Sequence, residues 1–248
     1  MFDKKSKYII IDETSTILGF DTSSDYLSIA LSKGDKVIKN VHMEVPRDHL
    51  AKLLPMIDEL LNAKDVTLAD IDVILVGIGP GSYTGIRIGV ATAQGLAQSL
   101  DKRIIGIPSL DAIARGIERD QEYKGVGLVC TVVDAKRKEV YAKIFKKGES
   151  EGVPQVLDPT ELGNILKRYE KRIVLAGDGL LLYGELFEES LRERAVFARR
   201  ELWYPNATNL IGQSINKRAI LADQNISPIY IRKSEAEERL KRLDRSQK

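Results

Sequence analysis

The sequence predicts an α/β fold in which one unit, a mixed β-sheet flanked by helices, occurs twice in tandem. Within each unit three strand-like segments come first, and helices and strands then alternate, which is typical of a mixed sheet covered by helices. The order starts again after residue 108, so we predict two subdomains, 17–108 and 109–233. Residues 1–16 are predicted to form an N-terminal extension and residues 234–248 a charged C-terminal tail.

The first unit opens with three segments that have the pattern of β-strands. Apolar or alternating residues at 17–21, 26–31 and 36–43 predict an antiparallel meander, because turn residues fill the gaps between them. A helix is predicted to follow, with Asp48 as a candidate N-cap. Its apolar residues recur at helical spacing and are predicted to share one face: Leu50, Leu53, Leu54, Ile57, Leu60 and Leu61.

The rest of the chain alternates between strand and helix patterns. In the first unit we predict strands over 72–78 and 103–107, with a helix between them that ends near residue 100. In the second unit the predicted strands are 126–134, 139–146, 153–157, 172–176 and 229–231. Helices of that unit are predicted over 109–117, from Thr160, after residue 179 and after Pro205, and the charged C-terminal tail is predicted to be helical over 235–245.

The composition excludes several classes of protein. Net charge is +2 and the two signs are interspersed, which disfavours nucleic-acid binding through a broad basic face but allows a share in a larger RNA-binding assembly. A single cysteine, Cys130, excludes an internal disulfide and reads as a small buried hydrophobe. No segment reaches the roughly 20 apolar residues of a membrane helix. We therefore expect a cytoplasmic protein with no membrane contact.

Histidine is too scarce for the common catalytic and metal sites. The chain has two, His42 and His49, seven residues apart, whereas paired ligands on one helix sit about three or four apart. No metal site is predicted, and a surface or capping role is expected for each histidine. A Ser-His-Asp or Cys-His hydrolase would need a histidine that the chain lacks beyond residue 49.

Two loops are candidates for an anion or nucleotide. Asp21, Thr22 and Ser23 follow the first strand, where hydroxyls and backbone amides can hold a phosphate and a carboxylate can hold a metal. The alternative is a turn stabilised by its own side chains. The second loop joins a strand to a helix, which offers free N–H groups. Its candidate residues are Gly79, Gly81, Ser82, Thr84, Gly85 and Arg87.

The glycine-rich loop departs from the known phosphate and nucleophile motifs. It lacks the Gly-Lys-Ser/Thr of a phosphate loop, and Thr84 stands where a dinucleotide fingerprint needs its last glycine. Pro80 and Thr84 stand where a nucleophile elbow centred on Ser82 needs glycines. A tight connection between strand and helix is therefore the competing interpretation.

The helix after this loop carries small residues at intervals of four, namely Gly85, Gly89, Ala93 and Ala97. Small side chains on one face let another element approach closely. That element is either the chain's own sheet or a helix of a second subunit. Under the second interpretation, the dimer interface would also include Leu53, Ile57 and Leu61 of the preceding helix.

These segments together resemble the TsaB (YeaZ) family. The matches are residues 17–31, His49 with 53–55, and above all 79–89; looser matches lie at Asp134 with 139–141, at 177–179 and at 228–232. The resemblance spans about residues 17–235 and implies a duplicated actin-like fold of the ribonuclease H type. It implies a non-catalytic subunit that pairs with the catalytic TsaD subunit, as a homodimer when alone, in making N6-threonylcarbamoyladenosine at position 37 of tRNA.

The resemblance also implies further partners and cofactors. A TsaE-type ATPase and tRNA would join through the complex, while ATP and a metal would lie on the partner subunits and none on this chain. Catalytic relatives carry a His-x-x-x-His pair after the strand that follows the glycine helix. Residues 106–113 contain no histidine here, which favours a non-catalytic member.

An enzyme remains the alternative hypothesis. An ATP-binding enzyme of the same sugar-kinase and actin-like superfold would need residues 21–23, Asp134 and residues 177–179 to face one cleft. A metallopeptidase is a weaker alternative, because its metal ligands are missing.

Overall fold

The computed structural model describes residues 8–9, 11–215, 220–221 and 226–231. The strands in chain order are β1 (Tyr8–Ile9), β2 (Thr16–Asp21), β3 (Tyr26–Lys33), β4 (Lys36–Glu44), β5 (Val73–Gly77), β6 (Arg103–Ile107), β7 (Leu128–Asp134), β8 (Val140–Lys146), β9 (Glu149–Ser150), β10 (Gln155–Leu157), β11 (Ile173–Ala176), β12 (Ala195–Phe197) and β13 (Ile220–Leu221). The helices are α1 (His49–Asn62), α2 (Tyr83–Leu100), α3 (Ser109–Arg119), α4 (Pro159–Leu166), α5 (Leu180–Leu191) and α6 (Ala207–Ile215).

Two sheets with the same strand order confirm the predicted duplicated fold. The first sheet has the order β4-β3-β2-β5-β6 and the second the order β10-β8-β7-β11-β12, with β9 beside β8. In both, the first three strands along the chain pair antiparallel and the last two pair parallel to their neighbours. Each sheet is therefore mixed, as strands followed by strand–helix alternation require.

Helices α3 and α6 pack together between the two sheets. One face of the first sheet packs against α1 and α2, burying Phe20, Leu60 and Ala93 in one core. Its other face is closed by α6, whose Leu210 and Ile211 pack with Leu75. Helix α3 contributes to both this core and the core of the second sheet. The segment predicted as subdomain 109–233 therefore also supplies a helix that covers the first sheet.

The single cysteine, Cys130, is part of a hydrophobic core, as predicted. Cys130 lies on β7 with none of its surface exposed, among the residues that cover the second sheet. Burial raises the pKa of its thiol to about 12, so the group stays a neutral thiol at physiological pH.

Several predicted elements differ from those observed. Residues 229–231 form no strand, although the Ile229 N–H donates to the Ile78 carbonyl at 2.8 Å. The strand predicted over 153–157 begins only at Gln155, after a loop in which Gly152 has a positive φ of 94°. Within the predicted N-terminal extension, β1 pairs antiparallel with β13. The helix predicted over 235–245 lies outside the described residues.

The predicted apolar face of α1 is narrower than the sequence suggested. Leu53, Ile57, Leu60 and Leu61 are buried, but Leu50 is 76% exposed and Leu54 is 52% exposed. Adjacent residues point about 100° apart around a helix, so Leu54 lies at the border of the stripe that faces the sheet. Asp48 occupies the predicted N-cap position without a side-chain hydrogen bond to the helix.

Candidate functional site

The buried carboxyl group of Asp21 links the end of β2 to the start of α3 through hydrogen bonds. Asp21 is 1% exposed, and its Oδ1 accepts hydrogen bonds from the backbone N–H and the hydroxyl of Ser23, both at 2.7 Å. Its Oδ2 accepts from the hydroxyl of Ser109 at 2.7 Å. The carboxyl is thus engaged by the chain itself, as the competing interpretation of a self-stabilised turn requires.

Burial governs the charge of Asp21. Removal from water raises the pKa of its carboxyl above the ordinary value, and the hydrogen bonds from Ser109 and Ser23 offset part of that rise. The space beside it is also filled, because a Cβ added at Gly77 would stand 1.7 Å from Oδ2. The strand that carries Gly77 therefore needs glycine there so that the carboxyl fits.

The titration of Asp21 gives a testable pH dependence. We expect Asp21→Asn to gain stability relative to the wild type as the pH rises from about 4 to about 7. Because the folded pKa is raised, protonated Asp21 contributes stability that is complete below the unfolded value of 3.8 and is lost as the pH rises through the folded pKa. Urea unfolding of both proteins at the two pH values measures the difference.

Asp12→Asn is the control with the opposite sign. Hydrogen bonds from the Thr14 hydroxyl and other donors lower the pKa of the exposed Asp12, so its contribution is present above 3.8 and is lost as the pH falls through the folded pKa. An Asp21→Asn effect that is equal at both pH values would contradict the raised pKa.

The two predicted anion loops pack against each other. The Thr22 hydroxyl donates to the Gly85 carbonyl at 2.7 Å, and the Ser82 N–H donates to the Ser23 carbonyl at the same distance. The hydroxyl of Ser82 caps α2 by accepting from the Gly85 N–H at 3.2 Å. These donors are therefore used inside the chain, which favours a tight connection over an anion cradle.

Close packing also explains the glycines of the loop. A Cβ at Gly81 would lie 2.2 Å from the Ser23 carbonyl oxygen, and one at Gly79 would lie 2.6 Å from Ile86 Cδ1. Gly79 also has a positive φ of 92°. Of the predicted loop residues, Ser82, Thr84 and Arg87 are exposed at the surface.

A narrow cavity separates the predicted cleft residues. Ser23 and Asp178 both line it, with Leu110 and Tyr204 among the other walls. The centre of a water-sized molecule can occupy only about 10 Å³ there, which is room for about one water. A nucleotide would therefore require the two sheets to move apart.

On the second side of this cavity, the lining residue Asp178 lies next to another acid, Asp134. Asp178 accepts a hydrogen bond from the Asp134 N–H at 2.9 Å, and the Asp134 carboxylate accepts from Lys136 Nζ at 2.7 Å. Burial, with a smaller contribution from the Asp134 charge, raises the pKa of Asp178. Gly177, which precedes Asp178, packs closely against β7, because a Cβ added at Gly177 would be 2.1 Å from the Val132 carbonyl oxygen.

Both histidines lie against Tyr26 rather than at the surface or at a cap, which corrects the prediction for them. His49 is 5% exposed, with Nε2 3.3 Å from the Tyr26 carbonyl oxygen. The ring of His42 stacks on the Tyr26 ring at 4.9 Å, and Tyr204 stacks on the same ring at 4.1 Å. In the described part of the chain, no three His, Cys, Asp or Glu side chains gather closely enough to hold a metal ion.

The residues predicted for a dimer interface face the chain's own sheet. All seven are buried: Leu53, Ile57, Leu61, Gly85, Gly89, Ala93 and Ala97. A Cβ at Gly89 would stand 2.4 Å from Thr22 Oγ1 and 3.5 Å from Val76 Cγ2, so the close neighbour is the sheet. The prediction for these residues is corrected, whereas pairing itself stays a prediction.

A second stripe of α2, which was not predicted from the sequence, points outward. Arg87, Ala91 and Gly95 are exposed and also recur every four residues, two positions out of phase with the buried stripe. A Cβ at Gly95 would meet nothing within 4 Å. Leu50 and Leu54 are exposed on α1, which packs beside α2, and we call the exposed residues Leu50, Leu54, Arg87, Ala91 and Gly95 the outer α1–α2 face.

The described helices include none that is long and apolar enough to cross a lipid bilayer.

Comparison with known proteins gives consistent matches over most of the chain. Residues 41–239 match the family model described as TsaD: tRNA N6-adenosine threonylcarbamoyltransferase. A crystal structure of an uncharacterized protein with similarity to peptidase YEAZ from Pseudomonas aeruginosa has a TM-score of 0.74 and 29% identity, covering 88% of this chain and 100% of that one.

Two relatives share the name tRNA threonylcarbamoyladenosine biosynthesis protein TsaB. The one from Escherichia coli (strain K12) is 30% identical over 233 residues, which cover 90% of this chain and 97% of the relative. The one from Bacillus subtilis (strain 168) is 33% identical over 228 residues, which cover 90% of this chain and 96% of the relative. Matched in sequence along nearly its whole length and in fold, the chain belongs to the TsaB (YeaZ) family.

Proposed function

We propose that this chain is a non-catalytic subunit in the synthesis of N6-threonylcarbamoyladenosine at position 37 of tRNA, where it pairs with a TsaD-type catalytic subunit. The names of the TsaB relatives and the match to the TsaD family model support the process and the kind of partner. The observation that carries the proposal is the outer α1–α2 face, which leaves apolar side chains exposed on two adjacent helices.

The outer α1–α2 face suits a protein partner. Leu50 exposes most of its surface and Leu54 about half. On the neighbouring α2, the exposed positions 91 and 95 hold only the small residues Ala91 and Gly95. Large apolar groups on one helix and small residues on the neighbouring helix allow helices of a second chain to approach closely. We propose that a second copy occupies this face when the chain is alone and that TsaD replaces it.

The interior of the chain supports a non-catalytic role. The region in which catalytic relatives carry two histidines forms the end of β6 and the start of α3, and Ser109 there donates its hydroxyl to Asp21. The polar groups of Ser109 and Asp21, which could otherwise contact a substrate, are thus hydrogen-bonded to each other. In the proposed complex, ATP and a metal belong to the partner subunits, a TsaE-type ATPase and tRNA join through the assembly, and the site of action is the cytoplasm.

An ATP-binding enzyme is the less favoured alternative. It requires Asp21 to face the cleft between the sheets, but Asp21 is 1% exposed and its carboxyl accepts a hydrogen bond from the Ser109 hydroxyl. The cavity at Ser23 and Asp178 is also far smaller than a nucleotide.

A reconstitution tests the proposal directly. Purified chain is mixed with the TsaD-type and TsaE-type proteins of the same organism, tRNA, ATP and a donor of the threonylcarbamoyl group, and the modified nucleoside is measured by mass spectrometry. We expect modification only when all proteins are present, and co-elution of the chain with TsaD in size-exclusion chromatography. Modification by this chain alone, or equal modification without it, would contradict the proposal.

A further inference from the structure

We propose that a cluster of basic residues on the second subdomain binds the backbone of RNA. The cluster, called the basic edge below, consists of Lys167, Arg168, Lys171, Arg172 and Arg192. The choice of RNA as the ligand rests on the proposed function, because the proposed complex acts on tRNA. The cluster itself follows from the fold.

Two separate stretches of the chain, one before β11 and one before β12, meet at one edge of the second sheet. Strands β11 and β12 are parallel neighbours and pair from their first residues onward. Arg172 and Arg194 directly precede these strands and therefore lie at the same edge. The Arg194 guanidinium also donates to the carbonyl oxygens of Lys167 and Tyr169, which links the end of α4 to this edge.

These two stretches carry more positive charge than the chain as a whole. Residues 167–172 and 189–194 hold six Lys or Arg and three Glu, whereas the whole chain is nearly neutral at +2. The five residues of the basic edge are all exposed, and within the described ranges none of them forms an ion pair with a carboxylate. Like charges placed together repel each other, so a ligand with several negative charges is favoured there.

A surface groove of about 610 Å³ lies at the ends of α4 and α5, beside the basic edge. Three cations line it, Lys167, Arg192 and Arg194, and so do two acids, Glu189 and Glu193. A phosphate would contact the cations, while a ribose 2′-hydroxyl would donate a hydrogen bond to a carboxylate. The mixture of charges therefore suits RNA better than a ligand that carries phosphates alone.

Arg192 is kept at this place at a cost in stability. It ends α5 with a φ of 54° and a ψ of −131°, a conformation that glycine adopts easily and residues with a Cβ avoid. Its charge also compensates the dipole at the end of α5, but that gain is smaller than the cost of the backbone conformation. We infer that the guanidinium, which lines the groove, is what this position requires.

The basic edge suits RNA better than a lipid surface. All exposed residues of the stretches 167–172 and 189–194 are polar or charged, and the leucine among them, Leu191, is buried. Segments that bind a membrane surface normally combine basic residues with apolar side chains that enter the bilayer. The edge belongs to the second sheet, whereas α1 and α2 pack on the first, so pairing through the outer α1–α2 face need not cover it.

The test is fluorescence anisotropy with a fluorescein-labelled RNA stem-loop whose stem has about 16 base pairs. The full chain is titrated at several salt concentrations, alone and in complex with TsaD. DNA of the same sequence and vesicles that contain anionic lipid are the comparison ligands. We expect RNA to bind more tightly than DNA, its affinity to fall as salt rises, and the vesicles to leave the chain in solution after sedimentation.

Lys171→Glu is expected to weaken RNA binding about tenfold and to lower the slope of log affinity against log salt by about one unit. Lys64→Glu is the matched control, because it makes the same change of charge at an exposed lysine of the first subdomain. It should bind RNA within about twofold of the wild type, since distant charges are screened at physiological salt.

Arg192→Gly separates binding from folding. We expect this variant to unfold at a higher urea concentration than the wild type, because glycine relieves the backbone strain. The same variant should bind RNA about threefold or more weakly, because one contact to phosphate is lost. A purely structural role for Arg192 predicts the opposite, namely lower stability with unchanged RNA binding.

The outcomes distinguish the basic edge from the proposed function. Failure of the wild-type chain to pair with TsaD in size-exclusion chromatography would contradict the proposed function, while RNA binding that Lys171→Glu weakens would still support the basic edge. Equal effects of Lys171→Glu and Lys64→Glu would overturn the basic edge. The absence of RNA binding both alone and with TsaD, equal affinity for RNA and DNA, or preferential binding of vesicles would overturn it as well.

Discussion

Gly85→Ala is expected to lower the free energy of unfolding by about 3 kcal/mol, at the upper end of what overpacking costs. The added Cβ would stand 2.0 Å from the Thr22 carbonyl oxygen and 3.2 Å from Ser82 Oγ. The first obstacle is backbone and cannot rotate aside, so the start of α2 must move away from β2. That movement also lengthens the 2.7 Å hydrogen bond from the Thr22 hydroxyl to the Gly85 carbonyl.

Gly95→Ala on the same helix is the matched control. Its Cβ would meet nothing within 4 Å, so the substitution adds only the helix propensity of alanine, worth up to about 1 kcal/mol. Urea unfolding at protein concentrations that keep the chain monomeric measures both variants. Equal effects at the two positions would contradict the assignment of α2's buried and exposed faces.

Leu54→Glu is expected to weaken pairing with TsaD by about a hundredfold, the effect of removing a central apolar contact and burying a charge. Leu54 is 52% exposed, so the isolated chain should keep its fold and its melting temperature. Analytical size-exclusion chromatography and calorimetry measure the pairing, and the reconstituted reaction should lose tRNA modification in parallel.

Leu182→Glu is the control for this surface. Leu182 is 64% exposed on α5 of the second subdomain, so the same change in charge there should leave pairing intact. Gly89→Leu tests the buried stripe of α2 instead of the outer α1–α2 face. The added side chain would collide with Thr22, so this variant should unfold the chain rather than release a partner. Normal pairing by Leu54→Glu would exclude the outer α1–α2 face.

Local pattern was enough to predict the fold. Alternating strands, turn residues and helical spacing depend on neighbours within a few residues, so the order of elements around β2, β3 and β4 could be read directly. The repetition of that order then predicted two sheets of the same kind. The prediction of a strand at 229–231 was wrong. Its residues have the composition of a strand, but a strand also needs a neighbouring strand to pair with, and the local sequence does not show whether one is present.

Contacts between distant residues decided the site. The sequence placed Asp21 in a turn that could hold a phosphate or bond to itself, but only the fold brings in Ser109, 88 positions away, to complete the carboxyl's partners. The same holds for the basic edge, whose two stretches meet because β11 and β12 are neighbours in the second sheet.

By itself the sequence determined a duplicated α/β chain, the positions of its loops, and the membership that residues 79–89 indicated. Which side of α2 is covered was decided only by the tertiary structure. The helix carries small residues on both sides, Gly89 and Ala93 on one and Ala91 and Gly95 on the other, and their spacing is the same. Periodicity shows that a face exists, but burial depends on where the sheet lies, and that follows from packing across the whole chain.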